Sequence, residues 1–370
     1  MKKICNIATA HLRSDTRIIK ECLAERQAYE VHYVTGDGKP YEQKDGLHLY
    51  GTKQYSVRLL RAILSPFPIY QTAKQIDADL YVIHNPELLL LVPFLKKRGK
   101  AVVWDCHEYY YDEFFHLTGA LKPIRRLLAY LYKKLICKIR NNLDGCITIC
   151  DGLKHSLQTF GFSNIYLLPN YPLREMFPSA PSILFAKNFY VLHYGVLTAQ
   201  RNIHLLIQAT HRCRNPIRLL LCGYFPFAAY QKQCQQTVGW ENVAYYDYAT
   251  KEQVQMFSQR CFAGILAFVK ETQPDYSRVK LYEYMALGLP IIAPLYPHYQ
   301  KTCENDGQPL GICTKIDPQS IADAMDQLYE DKSLCEELGR HGRKAFEERY
   351  TFEAQQGRFL RFLQSIVSQN

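Results

Sequence analysis

Two ionisable side chains, Lys280 and Glu283, lie at the start of a predicted helix in the stretch RVKLYEYMALGLPIIAP, residues 278–294. The first turn of a helix has unpaired backbone N–H groups and a partial positive charge, so it attracts phosphate. Lys280 adds a full charge there. Glu283, one turn further on, would repel phosphate and is better suited to accept hydrogen bonds from sugar hydroxyls, as acidic residues do with the ribose of dinucleotides. Taken alone, the pair is equally typical of an ordinary amphipathic helix.

A second stretch, HYGVLTAQRN at residues 193–202, has a similar arrangement. Gly195 stands at the end of a predicted strand, where the absence of a Cβ lets a ligand approach the backbone. Arg201 comes just before the next predicted helix, whose start is another anion site. Two such helix starts in one domain suit a diphosphate, and this context favours the functional interpretation of Lys280 and Glu283.

Other polar residues follow predicted strands in the first half of the chain. His107 and Glu108, in WDCHE, are candidates to contact a sugar or an acceptor, although a histidine that only satisfies loop backbone groups has the same pattern. His84, in IHNPE, is a weaker candidate because helix capping explains much of that motif. Asp15 and Arg17 follow the first strand and either meet an acceptor or pair with each other.

No metal site is predicted. The Asp-x-Asp motif at residues 77–79 is of the type that binds a metal in another transferase fold. Here it precedes the strand LYVIH, which places it at the amino end of the sheet, so a polar turn is the better interpretation. The thirteen cysteines are scattered without a Cys-x-x-Cys spacing, which favours buried thiols in a reducing compartment.

The elements that must position these residues alternate between short apolar strands and helical segments, which predicts parallel sheets covered by helices. The proline-rich stretch PNYPLREMFPSAPS interrupts this alternation, and the alternation then starts again. We therefore predict two doubly wound α/β domains facing a cleft. The predicted boundaries are 1–172 for the first domain, 173–187 for a linker, 188–350 for the second domain and 351–370 for a C-terminal helix that packs back on the first.

Charge is unequally distributed along the chain. Residues 1–176 contain 25 Lys and Arg against 17 Asp and Glu, whereas the remaining residues contain 20 against 18. The predicted helix LKPIRRLLAYLYKKLICKIRNN carries seven basic residues beside an apolar stripe. It is either a core-facing helix with a solvated basic face or a contact to an anionic membrane surface. Nucleic-acid binding is not favoured, since no nucleic-acid module accompanies the charge.

At this point the motifs resemble a known family. VKLYEYMALGLPIIA, HYGVLTAQRN, IRLLLCGY and IYLLPN, with SDTRIIKE, IHNPELL and VVWDCHE in the first half, are similar to the hallmarks of GT-B-fold, family-four retaining glycosyltransferases of bacterial surface polysaccharide synthesis. The likeness runs through nearly the whole chain in order. It implies two Rossmann-like domains, the second of which binds a nucleotide diphosphate sugar, and no obligatory metal or other cofactor.

The resemblance also implies roles for individual residues. Arg201 and Gly195 match the family's diphosphate-binding arginine and glycine, and Glu283 matches the glutamate expected at the donor ribose. Eight residues earlier stands Asp275, a shorter carboxylate than the usual glutamate at the donor sugar. Asn202 replaces the common glycine or lysine, and Lys280 is expected to substitute for the missing cation. The family has a sugar-contacting histidine at a place comparable to His107. The residues assigned to the site by these arguments are His107, Glu108 and Asp275 as catalytic; Gly195, Arg201, Lys280, Tyr282 and Glu283 as donor-binding; and Asp15, Arg17 and His84 on the acceptor side.

The expected function is transfer of a sugar from a nucleotide diphosphate sugar to a lipid-linked or oligosaccharide acceptor. The expected location is the cytoplasm, at the inner face of the cell membrane, without nucleic acid as a partner. Two alternatives stay open: a nucleotide-sugar epimerase of the same fold, and a non-catalytic basic protein that binds membranes or nucleic acid. The epimerase would need its own acid–base carboxylates, which the sequence does not reveal.

Overall fold

The structure, a computed structural model, describes residues 1–111, 122–178, 189–268 and 279–369. Within them the chain forms two compact units. The first contains the described residues of Met1–Asn170 and Gln355–Asn370, and the second contains those of Tyr171–Pro274 and Arg278–Ala354. The prediction of two doubly wound α/β domains is confirmed, because each unit has its own mostly parallel sheet whose strands alternate with helices.

Fourteen strands are found in the described residues. In the first unit they are β1 (Lys3–Ala8), β2 (Glu30–Thr35), β3 (Glu42–Lys44), β4 (Leu47–Gly51), β5 (Leu80–Ile83), β6 (Ala101–Cys106), β7 (Gly145–Thr148) and β8 (Ile165–Leu167). In the second unit they are β9 (Tyr190–Tyr194), β10 (Arg218–Cys222), β11 (Val243–Tyr246), β12 (Cys261–Ile265), β13 (Ile291–Pro294) and β14 (Gly311–Thr314). The sheet orders are β3-β4-β2-β1-β5-β6-β7-β8 and β11-β10-β9-β12-β13-β14.

The helices of the described residues follow the same alternation. They are α1 (Thr16–Glu25), α2 (Arg58–Leu64), α3 (Pro66–Ile76), α4 (Val92–Lys96), α5 (Lys122–Ile139), α6 (Asp151–Thr159), α7 (Ile203–Arg212), α8 (Ala228–Gln235), α9 (Lys251–Ser258), α10 (Val279–Ala286), α11 (Pro297–Glu304), α12 (Pro318–Glu330), α13 (Lys332–Arg349) and α14 (Phe352–Gln369). Among the short 3₁₀ helices, Pro86–Leu91 follows β5 and Ala199–Arg201 precedes α7.

Each sheet reverses its strand order beside its first strand. In the first unit the chain proceeds from β1 to β2 on one side and later adds β5 on the other side. In the second unit β9 is followed by β10 on one side and later by β12 on the other. Doubly wound folds bind ligands at the carboxyl ends of strands next to such a reversal, so these two edges are where a site is expected.

The cores explain why the central strands are apolar. β5 and β6 are buried along their whole length, as expected of parallel strands that are covered on both faces. In the second unit, neighbouring residues Val191 and Leu192 of β9 belong to different apolar clusters, because successive side chains point to opposite faces of the sheet.

The C-terminal helix α14 packs within the first unit through most of its length. Its apolar side chains Phe359, Leu363 and Ile366 are buried, and the Phe362 ring stacks on Tyr166 with 5.0 Å between centroids. At the end of the helix, Lys2 donates a hydrogen bond to the carbonyl oxygen of Val367 at 3.2 Å.

Candidate active site

Three residues of the second unit meet at the carboxyl end of β9. Gly195 directly follows this strand with φ of 118°, a backbone conformation that favours glycine. A Cβ at this position would lie 2.8 Å from Nη1 of Arg201 and 3.3 Å from Cε of Lys280. Two cations that are far apart in the sequence therefore converge on the bare backbone of Gly195, at the edge next to the strand-order reversal.

Glu283 lies beside this pair of cations. Nζ of Lys280 is 2.9 Å from Oε2 of Glu283, and the hydroxyl of Tyr194 donates to the same oxygen at 2.7 Å. Burial alone would raise the pKa of Glu283, but the charge and hydrogen bond of Lys280, with the Tyr194 hydroxyl, bring the pKa below its usual value. Glu283 is therefore a carboxylate held in place at the site.

Tyr194 was missed by the sequence analysis, although it stands in the HYG motif next to Gly195. Its ring lies under the ammonium group of Lys280, with 3.8 Å from Nζ to the ring centroid. A cation over an aromatic face is stabilised electrostatically, so Tyr194 orients both Lys280 and Glu283.

Asn202 stands where the resembling family commonly has glycine or lysine, and its backbone conformation gives a reason for asparagine at this position. Asn202 adopts left-handed backbone angles, φ 49° and ψ 38°, where α7 begins. Glycine and asparagine tolerate this conformation better than most residues. Its side-chain amide donates to the carbonyl oxygen of Ala267 at 2.8 Å, which ties the loop that carries Arg201 to the end of β12. Asn202 thus shapes the loop, and the second cation near Gly195 is Lys280.

Tyr282 and Asp275 differ from the other donor-side candidates. The ring of Tyr282 is buried against Tyr171 and Tyr350, with centroid distances of 4.6 and 5.3 Å, so this side chain packs in the core. Donor contact by Tyr282 stays a prediction. Asp275 lies outside the described residues.

In the first unit, the buried carboxylate of Asp105 in β6 organises the predicted residues. Arg17 donates to both of its oxygens, from Nε at 3.0 Å and from Nη2 at 2.8 Å. Burial would raise the pKa of Asp105, but Arg17 and the neighbouring His107 and His84 hold it well below its usual value. Asp105 was not among the residues predicted from the sequence, although a carboxylate inside an apolar strand is a visible signal.

Asp15 and Arg17 do not pair through their side chains. Asp15 caps α1, accepting from the backbone N–H groups of Arg17 at 2.9 Å and Ile18 at 3.2 Å, and it also contacts Nδ1 of His11 at 2.8 Å. Burial would raise the pKa of Asp15, but these contacts lower it. Arg17 is buried against Asp105. Asp15 thus lies in the partly exposed segment after β1, whereas the side chain of Arg17 is buried.

His84 and His107 also differ in accessibility. His84 is fully buried, with Nδ1 3.1 Å from Asp105 and Nε2 2.8 Å from Oδ1 of Asn6, and burial lowers its pKa. The acceptor-side role of His84 is therefore corrected to support of Asp105. The side chain of His107 is 10% exposed, and its Nδ1 is 3.4 Å from Asp105. Its ring also meets His11 edge-to-face at 5.1 Å.

His84, Asp105 and His107 form the group of described residues whose donor atoms lie close enough together to be considered for a metal, all within 4.8 Å. The donor set does not suit a cation, because the guanidinium of Arg17 already occupies both oxygens of Asp105. The Asp-x-Asp motif is elsewhere: Asp77 pairs with Arg98 at 2.7 Å, and Asp79 accepts from the backbone of Lys3 at the amino end of the sheet.

A cavity of about 660 Å³ opens at the same edge of the first unit. The loops after β1, β5 and β6 contribute His11, Glu87 and Glu108, and α5 contributes Leu128 and Leu131. The volume of the cavity is within the usual range of small-molecule sites. Glu108 is thus placed in a pocket, as a candidate for substrate contact.

Comparisons with known proteins agree with this fold. Residues 18–171 match the model of Glycosyltransferase Family 4, and residues 179–345 match that of Glycosyl transferases group 1. Sucrose-phosphate synthase from Thermosynechococcus elongatus is 15% identical over 100% of both chains, with a TM-score of 0.79. HepE of Anabaena, solved with UDP and glucose, is 14% identical over 99% of this chain and 100% of its own, with a TM-score of 0.74.

A third structure, a glycosyltransferase from Rickettsia africae, is 11% identical over 100% of this chain and 99% of its own, with a TM-score of 0.76. No functionally curated protein matches the sequence significantly. The fold and the two family matches define a glycosyltransferase of the GT-B type. Within that class, the chain belongs to the glycosyltransferases described by the family 4 and group 1 models.

Proposed function

We propose that this chain transfers a sugar from a nucleotide diphosphate sugar to a lipid-linked glycan acceptor, with retention of the anomeric configuration and without an obligatory metal. The convergence of Arg201 and Lys280 on Gly195, with Glu283 beside them, carries the proposal. Two cations suit the two phosphates of the donor. The carboxylate of Glu283 suits the ribose hydroxyls.

The same residues supply a chemical role for the departing diphosphate. Negative charge develops on the leaving group as the glycosidic bond breaks, and preorganised cations and helix dipoles stabilise that charge. Arg201 and Lys280 therefore do the work that a divalent metal does in other transferases. His107 and Glu108 are assigned to the sugar and to the acceptor hydroxyl. Retention rests on the resemblance to retaining relatives.

The nucleotide and the lipid carrier have separate support. HepE, which shares this fold, was solved with UDP and glucose, which supports a nucleotide sugar as the donor. The first half of the chain carries the charge excess noted above, and the exposed residues Lys122, Arg126, Lys133 and Lys134 of α5 favour an anionic membrane surface. No helix among the described residues is both long and apolar enough to cross a membrane.

The proposal is tested with a panel of nucleotides and nucleotide sugars. Thermal stabilisation by one nucleoside diphosphate is expected, followed by transfer of the labelled sugar to an acceptor with the anomeric configuration of the donor. Proton NMR of the first product reads the anomer. Conversion of the nucleotide sugar to its epimer without transfer would favour the epimerase, and stabilisation by none of the compounds would contradict both enzymes.

A further inference from the structure

The cavity of the first unit has two chemically different walls. The loops after β1, β5 and β6 form a polar wall that includes His11, Asn85 and Glu108. The part of the lining that α5 contributes is apolar and includes Leu128, Leu131 and Leu135. A ligand that fills such a cavity must be polar at one end and apolar at the other.

Arg61 adds a positive charge to the lining of the cavity. It lies on α2 and lines the cavity, and its Nε is buried without a hydrogen-bond partner among the described residues. A buried donor of a charged group without a partner is unfavourable, so an anion is a suitable occupant beside it. The acidic residues of the polar wall, Glu87 and Glu108, would repel that anion, but Glu87 already accepts a hydrogen bond from the hydroxyl of Thr9.

The apolar wall continues onto the surface along α5. Four large apolar side chains on the cavity-lining face of this helix are between 37% and 55% exposed, and together we call them the α5 face: Ile124, Leu127, Leu128 and Leu131. The helix α5 contains no acidic residue and is rich in lysine and arginine. An exposed apolar face flanked by basic residues fits the interface of an anionic bilayer.

These exposed residues also bear on the interpretation of α5 as a core-facing helix. The apolar stripe of α5 is only partly core-facing, because Tyr132, Ile136 and Ile139 are buried whereas Ile124, Leu127, Leu128 and Leu131 are exposed. A purely electrostatic membrane contact does not explain these exposed leucines. Leu128 and Leu131 both line the cavity and are exposed at the surface, so one apolar chain can contact them from either side.

We propose that this cavity binds a lipid monophosphate: its hydrocarbon chain enters past Leu128 and Leu131 from the bilayer, its phosphate meets Arg61, and the group to be glycosylated lies toward Glu108. The assignment of this ligand as the acceptor carrier rests on the proposed function. The binding itself does not depend on the donor site and is tested apart from it.

The test measures binding of fluorescently labelled farnesyl phosphate to the full chain, with farnesol and inorganic phosphate as competitors. Leu131→Gln places a polar group in the apolar wall, and Arg61→Gln removes the charge while keeping hydrogen-bond donors. Leu295→Gln is the matched control, because Leu295 is 45% exposed, against 51% for Leu131, and lies in the second unit. UDP binding is measured on every variant to report on the donor site and the fold.

Wild type and Leu295→Gln are expected to bind farnesyl phosphate equally, and Leu131→Gln and Arg61→Gln are expected to bind it roughly tenfold more weakly. Farnesol should compete weakly, inorganic phosphate should not compete, and UDP affinity should be unchanged in all variants. Equal binding by all four proteins, or no binding by wild type that still binds UDP, would overturn the inference. Loss of UDP binding alone would overturn the proposed function instead.

Discussion

Lys280 and Glu283 form an ion pair across one turn of α10, with 2.9 Å between Nζ and Oε2. The pair places a cation and an anion side by side next to the backbone of Gly195. A nucleoside diphosphate has the complementary arrangement, because its phosphates are anionic and its adjoining ribose offers hydroxyl donors. We therefore expect the ion pair to set both the orientation and the affinity of the donor.

Replacing either cation should weaken nucleoside diphosphate binding. Arg201→Gln and Lys280→Gln each remove a charged hydrogen bond, which contributes about 1.5–3 kcal/mol, or roughly a tenfold to hundredfold change in affinity. Titration calorimetry measures the effect, and Arg212→Gln, an exposed arginine of the same unit, is the control. Unchanged affinity in both folded variants would remove the diphosphate assignment.

Glu283 should discriminate between nucleotides by their ribose. Wild type is expected to bind the preferred nucleoside diphosphate more tightly than its 2′-deoxy and 3′-deoxy forms, because the carboxylate accepts a hydrogen bond from the ribose. In Glu283→Gln that preference should shrink, while the contribution of the diphosphate stays. The affinities of the three nucleotides for both proteins form a double-mutant cycle. A preference that is the same in wild type and variant would mean that the ribose is read elsewhere.

Membrane binding should have two components. Changing the exposed residues Lys122, Arg126, Lys133 and Lys134 to Gln should reduce sedimentation with anionic vesicles, since each basic residue near the surface contributes about 1 kcal/mol and this attraction fades with salt. The binding that persists at high salt should instead be lost when Ile124 and Leu127 of the α5 face are changed to Gln. Equal binding to neutral and anionic vesicles by all proteins would show that the basic residues are only solvated.

The free energy of unfolding should fall as the pH rises from about 5 to 8, because the carboxyl group of Glu25 is buried. Burial raises its pKa to about 8, although Asn6 donates to its Oε2 at 2.6 Å. Between the unfolded value near 4.5 and this folded value, the native state binds more protons than the unfolded state, so the free energy of unfolding decreases with pH. Urea unfolding of Glu25→Gln should show a smaller decrease than wild type or the exposed control Glu348→Gln. An equal decrease of the free energy of unfolding in all three proteins would contradict the raised pKa of Glu25.

The sequence was sufficient to predict the fold and the convergence of two cations on Gly195, because strand–helix alternation and glycine at a strand end are local signals. Gly195, Arg201 and Lys280 meet as their positions after β9, before α7 and in the first turn of α10 predicted. Arg17 and His84 could not be placed in the same way. Their burial depends on Asp105, a residue 88 positions from Arg17, and such a long-range charge pair has no periodic signal. The exposure of the α5 leucines could not be predicted either, because an apolar stripe does not reveal whether a neighbouring element covers it.

The central claim is tested most directly by sugar transfer in the presence of EDTA. Wild type, Arg201→Gln and Arg212→Gln are incubated with the nucleotide sugar selected by the binding panel and a lipid-phosphate-linked acceptor. The expected result is release of one nucleoside diphosphate per sugar transferred by wild type and Arg212→Gln in EDTA, with at least tenfold slower release by Arg201→Gln. Strict dependence on an added divalent metal, or equal rates for all three proteins, would contradict a diphosphate held by Arg201 and Lys280.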